Sequence, residues 1–318
     1  MRRRRFLGAL AAGALLPSLA GCSRAAEPAG TAAGPVSSAA FRLHYVLSSA
    51  LYGELPLDVI LPEVARTSAD AIDIWCRVHG NQREQITAMG DDAFAALLAQ
   101  HRTRLAVSTR YPLGPFGLQA EMAWLRRFGG TVIVTGSGGP SEPVGAEAKA
   151  AVVRFLEAMK PHVARAQELG VTIAVENHSG QLLCQPDALR HFADLNRSPN
   201  LGIALAFHHL HPWVGEIPGL IRQLGARNLP LVYFQEHSPG LAGPVAKEIE
   251  LQQLPGFGGG LDYHPLVAAL REVRFTGLAS IFMHPTPRGI PILPTVPEIT
   301  AVINRSRAYV ERCLRETA

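Results

Sequence analysis

Histidines and acidic residues that could carry chemistry gather where runs of β-branched and apolar residues end. The chain has 12 histidines. Those that follow such runs are His79, His178, His208, His209, His211, His237 and His284. Glu176 and Glu236 occupy the same kind of position. Because imidazole and carboxylate groups transfer protons and bind metal ions, these residues predict a site wherever the ends of the runs meet.

Short β-like runs alternate with longer helical patterns from Phe41 onward, as expected for βαβ units around a parallel sheet. Strands are predicted at Phe41 to Ser48, Ala71 to Val78, Arg104 to Arg110, Thr131 to Ser137, Val171 to Asn177, Leu201 to His208, Leu229 to Gln235 and Gly277 to His284. Helices are predicted at Leu57 to Ala65, Ala93 to His101, Gln119 to Phe128, Ala146 to Leu169, Asp187 to Leu195, Ile217 to Leu224, Pro265 to Val273 and Pro297 to Leu314.

Eight such repeats predict a single-domain (β/α)8 TIM barrel over residues 41–318. The competing fold is an open doubly wound sheet. That fold is disfavoured because no Gly-x-Gly-x-x-Gly turn follows the first strand and no phosphate-cradling loop is present. In a barrel the carboxyl ends of all strands surround one mouth, so we expect the polar strand ends to converge there.

The first residues predict export and lipid anchoring. Arg2 to Arg5 precede an apolar run that is too short to remain in a bilayer, as in a twin-arginine signal peptide over residues 1–21. Leu19-Ala20-Gly21-Cys22 has the pattern of a lipoprotein cleavage site, which makes Cys22 the predicted lipidation site. Residues 22–40 are rich in Ala, Gly, Ser and Pro and predict a flexible tether. The predicted location is therefore the periplasmic face of a membrane.

The charge balance argues against a nucleic-acid partner. The formal charge of +4 comes from 30 basic and 26 acidic residues, and four of the arginines lie in the predicted signal peptide. The remaining chain would be neutral. Binding of phosphate backbones requires a basic face, so a small-molecule ligand is the better expectation.

Several segments resemble the sugar phosphate isomerase/epimerase family, whose members are xylose-isomerase-like TIM barrels. Val171 to His178, which reads VTIAVENH, is similar to the fifth strand of that family. Asp70 to Ile74 resembles its second strand and Leu201 to Leu205 its sixth. Pro255 to Tyr263 resembles the loop before its seventh helix. The resemblance covers nearly all of the chain after residue 40 and implies action on a sugar or sugar derivative.

The resemblance also implies a divalent ion held by Glu, Asp, His and Glu on strands five to eight, but most of these ligands are replaced. Glu176 matches the first ligand, whereas Ala206 stands at the aspartate position and His209 keeps the following histidine. Tyr233 and Phe282 stand at the last two ligand positions. A metal site of the usual composition is therefore not expected.

A second set of candidate ligands lies one layer nearer the mouth. Two residues further along a strand, a side chain points the same way and sits ~6 to 7 Å higher. This step leads to His178, His208, Gln235 and His284, with Glu176 just beneath. Such a set would suit a zinc-like ion better than magnesium. A metal-free polar pocket and a chance cluster are the alternatives.

Two functional hypotheses follow. The first is an exported isomerase or epimerase that transfers protons with Glu176, His209 and Glu236. The second is a sugar-binding lipoprotein without catalytic activity. In both, Trp75, Arg110, Asn177 and His237 are candidate contacts to the sugar, and packing of loops is the competing role for each. Because sugar phosphates are scarce outside the cytoplasm, an unphosphorylated or oxidised sugar is the expected ligand.

Overall fold

A computed structural model describes residues 41–317. The predicted signal peptide, tether and lipidation site at Cys22 lie outside these residues. Within residues 41–317, no helix combines the length and the apolar composition needed to span a membrane.

The described residues form a closed parallel barrel in which each strand pairs with the next and β8 pairs with β1. The strands are β1 His44–Ser48, β2 Ala71–Trp75, β3 Leu105–Thr109, β4 Val132–Gly136, β5 Thr172–Glu176, β6 Leu201–Ala206, β7 Leu231–Phe234 and β8 Leu278–Ile281. The predicted TIM barrel is confirmed. Strands β2 to β8 end earlier than predicted because their C-terminal residues leave the ladder and enter the βα loops, whereas β1 ends at Ser48 as predicted and begins three residues later.

Helices alternate with the strands and cover the outside of the barrel. They are α1 Leu57–Arg66, α2 Gln82–Met89, α3 Asp91–Gln100, α4 Gln119–Arg127, α5 Gly145–Leu169, α6 Pro186–Leu195, α7 Ile217–Leu224, α8 Lys247–Glu250, α9 His264–Glu272 and α10 Val296–Glu316. The long predicted helix is α5, which ends at Gly170 in the left-handed conformation with φ 63°. The sequence did not predict α2 or α8. Helix α2 buries only Gln82 and Ile86, so it lacks a broad apolar face, and α8 is a single turn.

One departure from the predicted strands positions the site. The predicted strand Leu201 to His208 ends at Ala206 and continues as 3-10 turns from Phe207 to Glu216. The side chain of Asn177 fixes this change of direction. Its Nδ2 donates to the carbonyl of Ala206 at 3.0 Å, and the Ala206 N–H donates to its Oδ1 at 2.6 Å. The ends of β5 and β6 are thereby tied together.

Aromatic side chains fill the barrel just below its mouth. Trp75 stacks on Phe282 with ring centroids 4.8 Å apart, and Tyr233 lies 5.4 Å from Phe282. All three are buried. Tyr233 and Phe282 stand where the resemblance placed metal ligands, so the layer that would hold the family's ion is closed by packing here.

Candidate functional site

A cavity of about 420 Å³ opens at the carboxyl ends of the strands. Its wall includes Glu176, the last residue of β5, and side chains from the loops that follow other strands. The residues that line it are His79, Tyr111, Glu176, His178, Ser179, Gln181, His208, His209, His211, His237, Leu241, His284 and Arg288. The convergence expected from the polar strand ends is therefore present.

Six aromatic side chains of this wall form a closed circuit, here called the mouth ring. In order, its members are His79, His284, His208, His209, His178 and Tyr111, with ring centroids 4.9, 5.8, 3.8, 4.2, 6.4 and 6.5 Å apart around the circuit. His178 and His284 occupy opposite positions, each three steps from the other.

Glu176, His208 and His209 could hold a metal ion together. One oxygen of the carboxylate and one nitrogen of each imidazole lie within 4.8 Å of one another. The distance from His209 Nε2 to Glu176 Oε1 is 3.8 Å, which is too long for a hydrogen bond but close enough for both atoms to share an ion. Both nitrogens of His208 lack a partner within residues 41–317, although this residue is only 4% exposed. Buried polar atoms of this kind normally have partners, so the arrangement favours a bound group.

Neighbouring polar groups orient these candidate ligands. The Ser179 N–H donates to His209 Nδ1 at 3.4 Å, and Ser179 Oγ lies 3.3 Å from the same nitrogen. Because Nδ1 accepts, the proton of the neutral ring is on Nε2, which has no partner within residues 41–317 and would release this proton on binding an ion. His178 Nδ1 donates to the Ser179 carbonyl at 2.7 Å, which leaves His178 Nε2 as the atom that can accept a proton.

Two buried carboxyl groups lie at the bottom of the site. Asp73 accepts hydrogen bonds from Trp75 Nε1 at 2.6 Å and from Thr109 Oγ1 at 2.9 Å. Burial raises the pKa of Asp73 to about 7, and these two donors oppose the increase. Burial, together with the charge of Asp73, raises the pKa of Glu176 to about 8. Without a cation, Glu176 is therefore largely protonated at neutral pH.

Three histidines of the cavity, His79, His208 and His209, are neutral at neutral pH. Burial lowers the pKa of His79 to about 4 and that of His209 to about 3. It also holds the pKa of His208 well below its ordinary value. The charge of Arg288 adds to each of these decreases. Neutral imidazoles keep a lone pair that can bind a metal ion or accept a proton.

The structure brings most of the predicted metal ligands to the cavity. Glu176, His178, His208 and His284 all line it, but Gln235 does not. Gln235 Nε2 instead donates to Gln253 Oε1 at 2.9 Å. Gln253 in turn donates to the carbonyl of His284 at 2.8 Å, so this pair of amides joins the loops after β7 and β8.

Glu236, predicted as a catalytic acid, lies in a different cavity with Gly256, Leu261 and Tyr309. Its Oε2 accepts a hydrogen bond from the Leu261 N–H at 3.0 Å. Because it follows the end of β7 beside Gln235, its side chain enters the loop before α9 rather than the mouth. The proton-transfer role expected of Glu236 therefore has no geometric basis, whereas His209, the other predicted catalytic histidine, lines the mouth cavity beside Glu176.

Of the predicted sugar contacts, only His237 lines the cavity, where it stacks on His211 with centroids 3.7 Å apart. Trp75 lies beneath the cavity in the aromatic layer. Arg110 lies 3.9 Å from the carboxylate of Glu121, and Asn177 is occupied by the backbone of Ala206. These three residues support the site rather than line it.

Sequence reasoning did not single out Tyr111 or Arg288. Tyr111 lies in the 3-10 turn after β3, and Arg288 follows His284 by four residues in the loop after β8. An arginine or tyrosine within a few residues of a strand end was the available signal.

Comparisons with solved structures give the same fold. L-ribulose 3-epimerase superposes with a TM-score of 0.63 at 16% identity, over 87% of this chain and 96% of that chain. The IolI protein, crystallised with a bound zinc atom, superposes with a TM-score of 0.61 at 16% sequence identity. The match covers 87% of this chain and 99% of the IolI chain. D-allulose 3-epimerase from Methylomonas sp., in complex with D-allulose, superposes with a TM-score of 0.59 at 15% sequence identity. The match covers 87% of this chain and 98% of the epimerase chain. At these identities the likeness establishes the fold alone.

Sequence comparison establishes the family. No curated protein sequence matches the chain. A sequence profile described as the xylose isomerase-like TIM barrel matches residues 61–299, most of the described barrel. The resemblance noted at β5 and β6 falls within this match. The chain belongs to the xylose isomerase-like TIM-barrel family.

Proposed function

We propose that this protein is a metal-dependent enzyme that acts on a sugar or sugar derivative by proton transfer at the barrel mouth. The observation that carries the proposal is the group formed by Glu176, His208 and His209 at the mouth of a barrel of this family. Structural neighbours that are sugar epimerases, one of them crystallised with D-allulose, support a sugar as the ligand. The neighbour with a bound zinc atom supports the ion.

The donor set fits a zinc-like ion better than magnesium. Two imidazoles and one carboxylate are a recurring ligand set of catalytic zinc, with a position left open for water or substrate. Magnesium prefers oxygen ligands, and here Ala206, Tyr233 and Phe282 replace the oxygen and nitrogen ligands of the lower layer. A bound ion of the zinc class would polarise the carbonyl and hydroxyl oxygens of a sugar.

Two imidazoles can move the proton. Glu176 is the single carboxylate among the residues that line the cavity in the described chain, and it is assigned to the ion. His178 and His284 both line the cavity, three steps apart in the mouth ring. His178 Nε2 is free to accept a proton, and His284 Nδ1 has no hydrogen-bond partner within residues 41–317. One side chain can remove a proton from a carbon while the other returns one.

A sugar-binding protein without catalysis is the second candidate. It is favoured by one observation, namely that the lower layer has lost three of the four ligand types implied by the family resemblance. Among the described residues that line the cavity, no carboxylate besides Glu176 is present to transfer the proton. Binding of a sugar without any exchange of its carbon-bound protons would identify this function.

The proposal includes export and a lipid anchor. Leu19-Ala20-Gly21-Cys22 after an apolar run supports acylation of Cys22, and the four preceding arginines support the twin-arginine route. The protein would then act at the periplasmic face of a membrane on sugars outside the cytoplasm.

Exchange of carbon-bound hydrogen in D2O tests the catalytic claim. The zinc-loaded protein is incubated with a panel of aldoses, ketoses and sugar acids, and loss of the C–H signal next to the carbonyl is followed by proton NMR. We expect exchange with at least one sugar, and its loss in His178→Ala and His284→Ala. His191→Ala, on α6 outside the cavity, is the matched control. A sugar that binds but never exchanges would overturn the enzyme and support the binding protein.

A further inference from the structure

Arg288 supplies the one permanent positive charge among the residues that line the mouth cavity in the described chain. Its side chain shares the wall of this cavity with His79, His208 and His209 of the mouth ring. Burial lowers the pKa of Arg288 itself. The charge is therefore held partly out of water, beside neutral groups.

No side chain within residues 41–317 forms an ion pair or hydrogen bond with the buried Nη1 of Arg288. The charge of Glu250 opposes the decrease in the pKa of Arg288. Glu250, however, is paired with Lys247 and also accepts the Thr286 N–H at 2.6 Å. A buried guanidinium nitrogen without a hydrogen-bond acceptor destabilises the folded protein. A bound anion would supply that acceptor.

The loop that carries Arg288 is anchored on both sides. Before it, Thr286 Oγ1 donates to the Gly240 carbonyl at 3.0 Å. After it, Gly289 packs so closely that an added Cβ would lie 2.9 Å from the Val78 carbonyl oxygen. The backbone on either side is thus fixed, which reduces the conformational freedom that Arg288 would lose on binding a ligand.

We propose that Arg288 binds a carboxylate of the substrate, so that the substrate class of this site is the sugar acids. This inference rests on the proposed function and names its ligand. A guanidinium matches a carboxylate with two parallel hydrogen bonds, and one positive charge balances one negative charge. A phosphate carries about two charges at neutral pH and would find a single guanidinium among the side chains that line the cavity in the described chain. The volume of about 420 Å³ lies near the lower end of ligand pockets, as expected for a small sugar.

Calorimetry with matched acid and neutral sugars tests the inference. The probes are D-glucuronate, D-galacturonate and D-gluconate, with D-glucose, D-galactose and D-sorbitol as their neutral counterparts and D-glucose 6-phosphate as the phosphate arm. We expect at least one acid to bind about tenfold or more tightly than its counterpart. Arg288→Met should abolish this preference without weakening the neutral sugar, and Arg288→Lys should restore part of it. Arg154→Met, an exposed arginine on α5, is the control, and thermal denaturation checks that each variant folds.

Each outcome bears on one claim. Equal affinity for acid and neutral sugars, or an acid preference that survives Arg288→Met, would overturn the assignment of Arg288 while leaving the sugar enzyme intact. Tighter binding of the phosphate, lost in Arg288→Met, would overturn the carboxylate class. Failure of every sugar to bind, together with absence of zinc binding, would instead overturn the proposed function, and the inference with it.

Discussion

Replacement of Glu236 by glutamine separates the two roles that this residue could have. The carboxylate lies outside the mouth cavity, enclosed by the loop before α9, where an added Cβ at Gly259 would lie 2.3 Å from its Oε2. Burial raises its pKa to about 7 from an ordinary value of 4.5, and hydrogen bonds from the backbone of Leu261 and Gly256 oppose the increase. We therefore expect Glu236→Gln to change stability and leave the chemistry unchanged.

The direction and size of the effect follow from proton binding. Between pH 4.5 and about 7 the folded protein keeps the Glu236 proton, whereas the unfolded chain has lost it. The contribution of Glu236 to the free energy of unfolding is therefore fully present below pH 4.5. It falls as the pH rises from 4.5 to about 7 and stays constant at higher pH. A difference of about 2.5 pKa units at about 1.36 kcal/mol per unit sets an upper limit of about 3.4 kcal/mol. Water in the adjoining cavity screens the charge, so we expect about 1–2 kcal/mol.

Urea denaturation at pH 5 and pH 8, followed by tryptophan fluorescence, measures the effect. Glu236→Gln should match the native protein near pH 5 and exceed its free energy of unfolding by about 1–2 kcal/mol at pH 8. Glu147→Gln, an exposed residue of α5, should change neither value. Lower stability of Glu236→Gln at pH 8 would refute the electrostatic reasoning. Loss of zinc binding or of proton exchange in a folded Glu236→Gln would refute its placement outside the active site.

Three further predictions address the ends of β5 and β6 and the N-terminus. Asn177→Leu should cost about 2–4 kcal/mol in urea denaturation, because it leaves the buried N–H and C=O of Ala206 without partners. Ser179→Ala should weaken zinc binding severalfold in chelator competition without lowering stability, because it removes the hydroxyl beside His209 Nδ1 and leaves the backbone N–H of residue 179 in place. Unchanged affinity would contradict this role of the hydroxyl. Mass spectrometry of membrane-extracted protein should find acylated Cys22 at the mature N-terminus, and Cys22→Ser should move the protein to the soluble fraction.

The barrel could be predicted from sequence because its repeats carry strong periodic signals. Helix α7 was placed at Ile217–Leu224 from the spacing of its apolar residues, as observed, and α5 was displaced by one residue at its start. Helix α2 was missed because its surface is mostly polar and the neighbouring loops, rather than an apolar stripe, hold it. Its Gln82 side chain donates to the backbone of Gly53 and Leu55, contacts that no local pattern shows.

Part of the site could be predicted by stepping two residues along the chain from each ligand position that the family resemblance implies. This step found His178, His208 and His284, which line one cavity with Glu176 although they lie beyond the ends of β5, β6 and β8. It failed for Gln235, whose partner Gln253 lies 18 residues further along the chain.

The position of His209 beside Glu176 and His208 also could not be predicted from the alternation of strand residues. Neighbouring residues on a strand face opposite sides, so His208 and His209 should diverge. The backbone turns into 3-10 geometry from Phe207, and the two rings then lie with centroids 3.8 Å apart. Such a change in the backbone depends on the bonds from Asn177 across to β6, which are tertiary contacts.

The most direct test of the account is calorimetric titration of the metal-free protein with zinc and with magnesium. We expect one zinc per chain, no saturable binding of magnesium, and a loss of zinc affinity of about tenfold or more in each of Glu176→Gln, His208→Ala and His209→Ala. His191→Ala should bind zinc like the native protein. Zinc binding that survives all three substitutions in folded proteins, or the absence of any zinc binding by the native protein, would contradict the metal site on which the proposed function rests.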